Sequence, residues 1–282
     1  MHSDEQRARA TALRELHRGP KILVLPNAWD CVSARLFEQA GFPAIATTSG
    51  GIAAMLGYPD GQRISAREML QITGRIAATV SVPVTADLEA GYGRTAEEIA
   101  ETIRQAMALG MAGANLEDGR GPNQPLADIA LQTEIIKAVR EAVAACGIPL
   151  VLNARVDVFL HGSGSPADRF RQAVERAIAY REAGADCVFP IGLKDGETIA
   201  RFVREVTCPV NIMAGPGAPA ISELESIGVR RATFGSGMMR ALLPFVRKMA
   251  GDLCASRGSD LLEQTEFSHA TVNALFQEPP RG

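Results

Sequence analysis

The sequence predicts an α/β fold, a TIM-type (β/α)8 barrel with an N-terminal helix and extra C-terminal helices. Three observations carry this. Short, near-continuous apolar runs alternate with amphipathic helical stretches eight times, as expected for parallel strands buried on both faces. Five helix ends close on glycine (Gly41, Gly110, Gly147, Gly184 and Gly228) just before the next apolar run, where a left-handed residue ends a helix. Gly110 to Gly147 and Gly147 to Gly184 are both 37 residues apart, one βα unit each. A doubly wound open sheet is the alternative, but no Gly-rich dinucleotide fingerprint follows the first strand.

Residues 1–20 are charged and read as a helix, Glu5 to Arg18, which covers one end of the fold and stops at Gly19-Pro20. No apolar leader core precedes it, so no signal peptide is expected. Strands follow near Ile22–Pro26, Ala44–Thr48, Val82–Asp87, Gly113–Glu117, Pro149–Arg155, Cys187–Pro190, Val210–Met213 and Ala232–Gly235. The helices between and after them fall near Ser33–Ala40, Ala66–Thr79, Ala96–Leu109, Asp128–Cys146, Ala167–Ala183, Gly196–Val206, Pro219–Ser226 and Gly237–Ala250. The turn-rich Gly57-Tyr58-Pro59-Asp60-Gly61 inserts between strand two and its helix. The barrel occupies 21–250, and 251–282 forms a helical tail within the same single domain. In that tail Leu261, Leu262, Phe267, Val272, Leu275 and Phe276 are too apolar for free chain, so they are expected to pack on the barrel or on a second subunit.

Composition narrows the function. The chain has 282 residues with formal net charge -3, which supplies no basic field for nucleic acid. No apolar run approaches a membrane span. Five scattered cysteines, Cys31, Cys146, Cys187, Cys208 and Cys254, argue against a disulfide framework or a zinc site and for the reducing cytoplasm. Most of them read as small buried apolar residues.

Active sites of such barrels form where the strands end at their C-terminal side. There strand three gives Asp87 and Glu89, two apart and so on one face, followed by a flexible Gly91-Tyr92-Gly93. Paired carboxylates there are a hard divalent metal site, an acid/base pair, or a solvated strand end. Strand four adds Glu117 and Asp118, strand five Asn153, Arg155 and Asp157, and strand seven Asn211. Ser49-Gly50-Gly51 reads as a small-residue turn whose N–H groups can cradle a carboxylate. Arg155 can grip a carboxylate through two bonds, or simply neutralise Asp157 or Glu117. Four histidines, His161 among them, match no ligand spacing and read as surface residues. Lys194 stands where a Schiff-base lysine could act, but Asp195-Gly196 beside it marks an exposed turn.

The segments Leu25-Pro26-Asn27-Ala28, Thr48-Ser49-Gly50-Gly51, Leu56-Gly57-Tyr58-Pro59-Asp60, Ala86-Asp87-Leu88-Glu89-Ala90-Gly91-Tyr92-Gly93, Asn115-Leu116-Glu117-Asp118 and Asn153-Ala154-Arg155-Val156-Asp157 occur in that order. With them the chain resembles the isocitrate lyase / phosphoenolpyruvate mutase superfamily over about residues 20 to 250, most of all its short 2-methylisocitrate lyase-like and phosphonopyruvate-processing members. The resemblance implies Mg2+ held through Asp87, with Glu89 and Glu117 in support. It implies a small 2-oxo or 2-hydroxy carboxylate as substrate and an enolate in the reaction, with C–C lyase or decarboxylase chemistry first. Phosphonopyruvate-type P–C hydrolysis or mutation, and 2-oxo acid binding without catalysis, are the alternatives. Ser49, Gly50 and Gly51 would hold the substrate carboxylate, Arg155 its oxyanion side, and Asn211 would line the same mouth. Asp60, Arg155, Glu117 and Asn123 are the implied catalytic residues. A homodimer or homotetramer, often with a helix exchanged between subunits, is implied as well. The lyase branches carry a Lys-Lys-Cys-Gly-His-type gate loop after strand four. Here Gly119-Arg120-Gly121-Pro122-Asn123-Gln124-Pro125-Leu126 contains neither Cys nor His, so the proton donor must come from elsewhere.

Overall fold

A computed structural model describes residues 3–121, 124–258, 260–263 and 265–277. Nine parallel strands form eight staves. β1 (Leu23–Leu25) and β2 (Asn27–Ala28) make the first stave, and β3 (Ile45–Thr47), β4 (Val84–Asp87), β5 (Gly113–Glu117), β6 (Val151–Val156), β7 (Cys187–Pro190), β8 (Asn211–Met213) and β9 (Arg231–Thr233) the rest. β2 through β7 pair in sequence, and β1–β9–β8 form a second group. A Val188–Val210 bridge joins the groups on one side, and the chain itself joins them at Pro26. The ring is therefore closed, as expected for a (β/α)8 barrel.

Pro26 is why the first stave is split. It has no N–H to give the ladder, while its carbonyl still accepts from Ala46 at 2.9 Å. Asn27 repairs the seam: its Nδ2 donates to the Thr47 carbonyl at 2.8 Å, and its Oδ1 accepts from the backbone of Phe234 at 2.7 Å and Gly235 at 3.1 Å.

Five of the outer helices begin on side-chain caps. Ser65 and Glu68 form a capping box at α4 (Ala66–Thr79), and Ser165 and Asp168 another at α8 (Pro166–Glu182), each satisfying N–H groups that a helix start leaves unpaired. The five glycines that close helices all sit at positive φ, between 66° and 112°. Ile76, Ile103, Ile136, Tyr180 and Phe202 bury their side chains between helices and sheet.

The helix α1 (Ser3–Arg18) seals the barrel floor. Its Ala10 and Leu13 are wholly buried against Leu23, Leu25, Ala44, Ala46, Ala112 and Val151. Gly113 makes room for it, since a Cβ there would lie 2.9 Å from Leu13 Cδ2. His17 is buried in the same helix, and its Nδ1 donates to the Leu13 carbonyl at 2.8 Å. Burial, reinforced by the Arg231 charge, holds its pKa down at about 4.

Three expectations need correction. Ser49-Gly50-Gly51 is the first turn of an unforeseen helix, α3 (Ser49–Met55), capped by Thr48. Gly91 and Gly93 answer to crowding: a Cβ at Gly91 would meet Ile99 Cγ2 at 2.5 Å, and one at Gly93 would meet Ile99 N at 2.7 Å. Of the cysteines only Cys187 is buried, while Cys146 and Cys254 are exposed; all five are free thiols.

The eighth outer helix, α11 (Gly237–Cys254), buries no residue, and its Leu242, Leu243, Phe245, Val246 and Leu253 are each about half exposed. Two short helices follow, α12 (Asp260–Glu263) and α13 (His269–Ala274). The tail touches the barrel through Leu275, which is buried and accepts from Arg35 Nε at 2.7 Å, while Leu262, Phe267, Val272 and Phe276 stay largely exposed. No helix among the described residues is long and apolar enough to cross a membrane.

Candidate active site

Two adjoining cavities of about 190 and 120 Å³ open at the C-terminal ends of the staves. Both are lined by Ser49, Asp60 and Arg155; Glu89 and Glu117 belong to the first, and Gly50, Asp87 and Asn115 to the second.

Asp87 ends β4, and its backbone N–H donates to Thr47 Oγ1 at 2.9 Å. Its Oδ2 accepts from the Ser49 N–H at 3.0 Å and the Ser49 hydroxyl at 2.8 Å, and its Oδ1 from Asn115 Nδ2 at 3.4 Å. In the chain as it stands Ser49 thus holds Asp87. Gly51 turns away, with its N–H on Thr48 Oγ1 at 3.3 Å. Gly50 faces the cavity, and the Asp60 carboxylate lies where a Gly50 side chain would begin, 2.8 Å from that point.

Glu89 does not share a strand face with Asp87. The strand stops at Asp87, and Glu89 sits in the left-handed region at φ 50°. Its carboxylate nevertheless turns into the cavity, where it accepts from the Gln62 N–H and the Tyr92 hydroxyl, each at 2.5 Å. Gln62 and Tyr92 are left-handed too, at 54° and 57°. Three bulky residues hold this costly conformation at one spot. Burial, with the Asp87 and Asp60 charges against it, pushes Glu89 up to about 7 despite these bonds.

Arg155 stands at the centre of the acids. Its Nε and Nη2 fork onto Asp157 at 2.7 and 2.6 Å, and its Nη1 reaches Glu117 Oε2 at 2.5 Å. Of the two roles foreseen for it, the structure shows the pairing with Asp157 and Glu117; it also lines both cavities. Its two terminal nitrogens carry four protons, of which the fork on Asp157 uses one. Burial pushes Glu117 well above the usual carboxylate range, with Arg155 opposing and Asp157 and Asp87 adding to the rise. Asp60 at the rim is raised for similar reasons, burial first and the Asp87 charge second.

Below this, Asp118 is fully buried. It accepts from Asp157 N at 2.8 Å, Tyr180 hydroxyl at 2.7 Å and Arg176 Nη1 at 2.9 Å. Asp118 therefore braces the Arg155–Asp157 fork. Tyr180 and Arg176 lie more than 50 residues away in sequence, and no local pattern announces them.

Several expected residues fall elsewhere. Asn211 is wholly buried and exchanges hydrogen bonds at 3.2 Å with Thr233, which lines the cavity in its place. Lys194 is exposed and donates to the Pro216 carbonyl at 2.8 Å, away from both cavities, so it offers no Schiff-base site there. Asn123 lies outside the described residues. His161, read as a surface residue, is exposed yet lines the mouth of the first cavity.

The donor set is all oxygen: Asp60, Asp87, Glu89, Glu117 and Asp157 around one guanidinium. Hard carboxylate oxygens in excess of cations suit Mg2+. Among the described residues no three acidic, His or Cys side chains converge as a complete ligand cage. Asp87 lines the second cavity, and Glu89 and Glu117 line the first.

A family model described as phosphoenolpyruvate phosphomutase matches residues 13–254. A 2-methylisocitrate lyase of Aeropyrum pernix is 33% identical over 202 residues, spanning 70% of this chain and 63% of that protein. An uncharacterized protein of Mycobacterium tuberculosis is 33% identical over 225 residues, 80% of this chain and 82% of that one. Among solved structures, a protein from Burkholderia cenocepacia J2315, provisionally titled a lyase/mutase, superimposes with TM-score 0.90 at 35% identity over 98% of each chain.

Proposed function

The chain belongs to the phosphoenolpyruvate mutase/isocitrate lyase superfamily, and on that premise we propose that it is a Mg2+-dependent lyase. Its substrate is a small 2-hydroxy or 2-oxo carboxylate, and it cleaves the C–C bond through an enolate. One observation carries the reading: carboxylates from four separate stave ends meet at a single, doubly paired Arg155 beside free space of small-molecule size.

Asp87 would hold the ion, with Glu89 and Glu117 in support through water. The ion supplies Lewis-acid stabilisation of charge that develops on oxygen during cleavage. The protein's own groups do the rest. Gly50 lines the second cavity, and its N–H would receive the substrate carboxylate. The remaining Arg155 protons would serve the oxyanion side, where fixed donors need no rearrangement as charge grows. In cleavage of a 2-hydroxy acid, a base removes the hydroxyl proton, the C–C bond breaks, and its electron pair enters the enolate. A proton delivered to carbon completes the product. Asp60 at the rim and His161 at the mouth are the side chains placed to exchange these protons, in the role that a gate-loop cysteine fills in the lyase branches.

We also propose that the protein works as a homodimer or homotetramer, with a second copy covering α11, whose apolar side chains have no cover within the chain. Five free thiols fit a reducing cytoplasm.

The test is turnover of a panel of 2-hydroxy and 2-oxo di- and tricarboxylates, with and without Mg2+, followed by product analysis. Release of a 2-oxo acid that EDTA abolishes supports the lyase. Phosphate release from phosphonopyruvate would place the chain in the P–C branch. Metal-dependent ligand binding with no turnover of any compound would leave a 2-oxo acid sensor. That reading draws on the absence of Cys and His from residues 119–126.

A further inference from the structure

Arg231 is 0% exposed, and nothing in the mechanism above uses it. It opens β9, in register with Leu23 on one side and Asn211 on the other. It lies two residues before Thr233, which lines the second cavity, so the two side chains share the inner face of the strand. Arg231 therefore occupies the barrel interior beneath the cavity.

Its Nη2 donates to Asn115 Oδ1 at 3.2 Å, and Asn153 Nδ2 donates to the same oxygen at 2.8 Å. The other end of the Asn115 amide points at Asp87 Oδ1. Guanidinium can only donate. With Arg231 on one side, the Asn115 oxygen must face the arginine and its NH2 must face Asp87. Asn115 sits beside Asp87 in the strand register, and Asn153 beside Asn115, so the relay runs along one row of the barrel.

Arg231 is also costly. Its Nε and Nη1 meet no protein acceptor among the described residues, and a buried charge without a carboxylate partner is unfavourable to folding. An apolar side chain of similar length would serve the core better. The charge whose field reaches it from the site is that of Asp87. A group that the core does not need, bonded to the residue that contacts Asp87, calls for a role in the site.

We propose that Arg231 is a positioning residue: acting through Asn115, it fixes the Asp87 carboxylate and provides a buried positive charge beneath the cavity that favours a dianionic ligand. This rests on the site reading above.

The test uses Mn2+ at saturation and oxalate, a dianion with the shape of an enolised 2-oxo acid, titrated calorimetrically into the parent and into R231M and R231K. Thermal midpoints are recorded without ligand. R231M keeps the bulk and loses the charge, so oxalate should bind about tenfold more weakly with a midpoint no lower than the parent's. R231K keeps the charge, so oxalate affinity should stay within about threefold of the parent. A packing role predicts the reverse: lowered midpoints and unchanged oxalate binding in R231M. Oxalate binding by R231M within about twofold of the parent overturns the proposal. If R231M does not fold, N115A decides, because it cuts the relay and spares the arginine. It should weaken oxalate by about tenfold, and parent-like binding overturns the proposal. A parent that binds no oxalate with Mn2+ overturns the site reading and this proposal with it, whereas a parent that binds, beside an R231M that binds equally well, overturns the proposal alone.

Discussion

Ser49 grips the Asp87 carboxylate twice, through its backbone N–H at 3.0 Å and its hydroxyl at 2.8 Å. The first residue of α3 thus aims the end of β4. Asp87→Ala should abolish Mn2+ binding followed by electron paramagnetic resonance. Ser49→Ala keeps the backbone bond, so it should weaken the ion by only about fivefold, near 1 kcal/mol. Undiminished Mn2+ affinity in D87A would remove Asp87 as the ligand.

Arg155 binds two buried acids, so its loss reaches beyond ligand affinity. Arg155→Ala strands Glu117 and Asp157 without their cation. Breaking such a pair costs about 3–5 kcal/mol of folding stability, readable as a lower urea midpoint. Arg155→Lys cannot reproduce the fork on Asp157 and should recover only part of the loss. A urea midpoint for R155A equal to the parent's would show the network to be energetically idle.

His17 sets a pH dependence. Its folded pKa of about 4 lies below the unfolded value of 6.5, so the unfolded chain takes up a proton first as pH falls. The stability tied to neutral His17 is complete above pH 6.5. It declines as pH drops below 6.5 and is exhausted near pH 4, a total of about 3 kcal/mol. His17→Gln should flatten that part of the curve relative to the parent in denaturant titrations at pH 7, 5.5 and about 4. Parallel curves would mean that His17 does not titrate between them.

The bare face of α11 predicts self-association. Sedimentation should find a dimer or larger species. Phe245→Asp together with Leu242→Glu should yield monomers with a reduced thermal midpoint, since the two side chains are 54% and 49% exposed in the single chain. A parent protein that sediments as a monomer at micromolar concentration would refute the covered face.

The eight βα units were legible because burial on both faces writes itself into the sequence as apolar runs, and because helices ending on left-handed glycine repeat at a fixed spacing. β5 and β7 fall where the pattern places them, Gly113–Glu117 and Cys187–Pro190. Alternation misled at Glu89, because the strand stops two residues earlier and a left-handed turn, not strand pleat, brings the carboxylate back. Ser49-Gly50-Gly51 looked like a turn because glycine is a poor helix former. Thr48 as cap and Asp60 packed over Gly50 explain why glycine stands in a helix there. Thr48 could have been recognised as a cap from sequence. Tyr180, Arg176 and Arg231 could not, since their roles arise only when the ring closes and brings distant staves together.

Gln62, Glu89 and Tyr92 all hold left-handed backbone that glycine would adopt at less cost. The Gln62 N–H and the Tyr92 hydroxyl hold the Glu89 carboxylate inward, and the Gln62 side chain accepts from the Tyr92 N–H at 3.1 Å. Tyr92 also packs against the core, so glycine there would lose more burial than the backbone gains. Gln62 is different: laboratory selection for heat resistance alone would accept glycine there, relieving the backbone while freeing the Tyr92 N–H that the side chain holds. Selection for turnover would reject the same change. At Gln62 durability and activity pull the sequence in opposite directions, so a variant that gains heat resistance there and loses turnover would trace the working edge of the cavity without any ligand having to be seen.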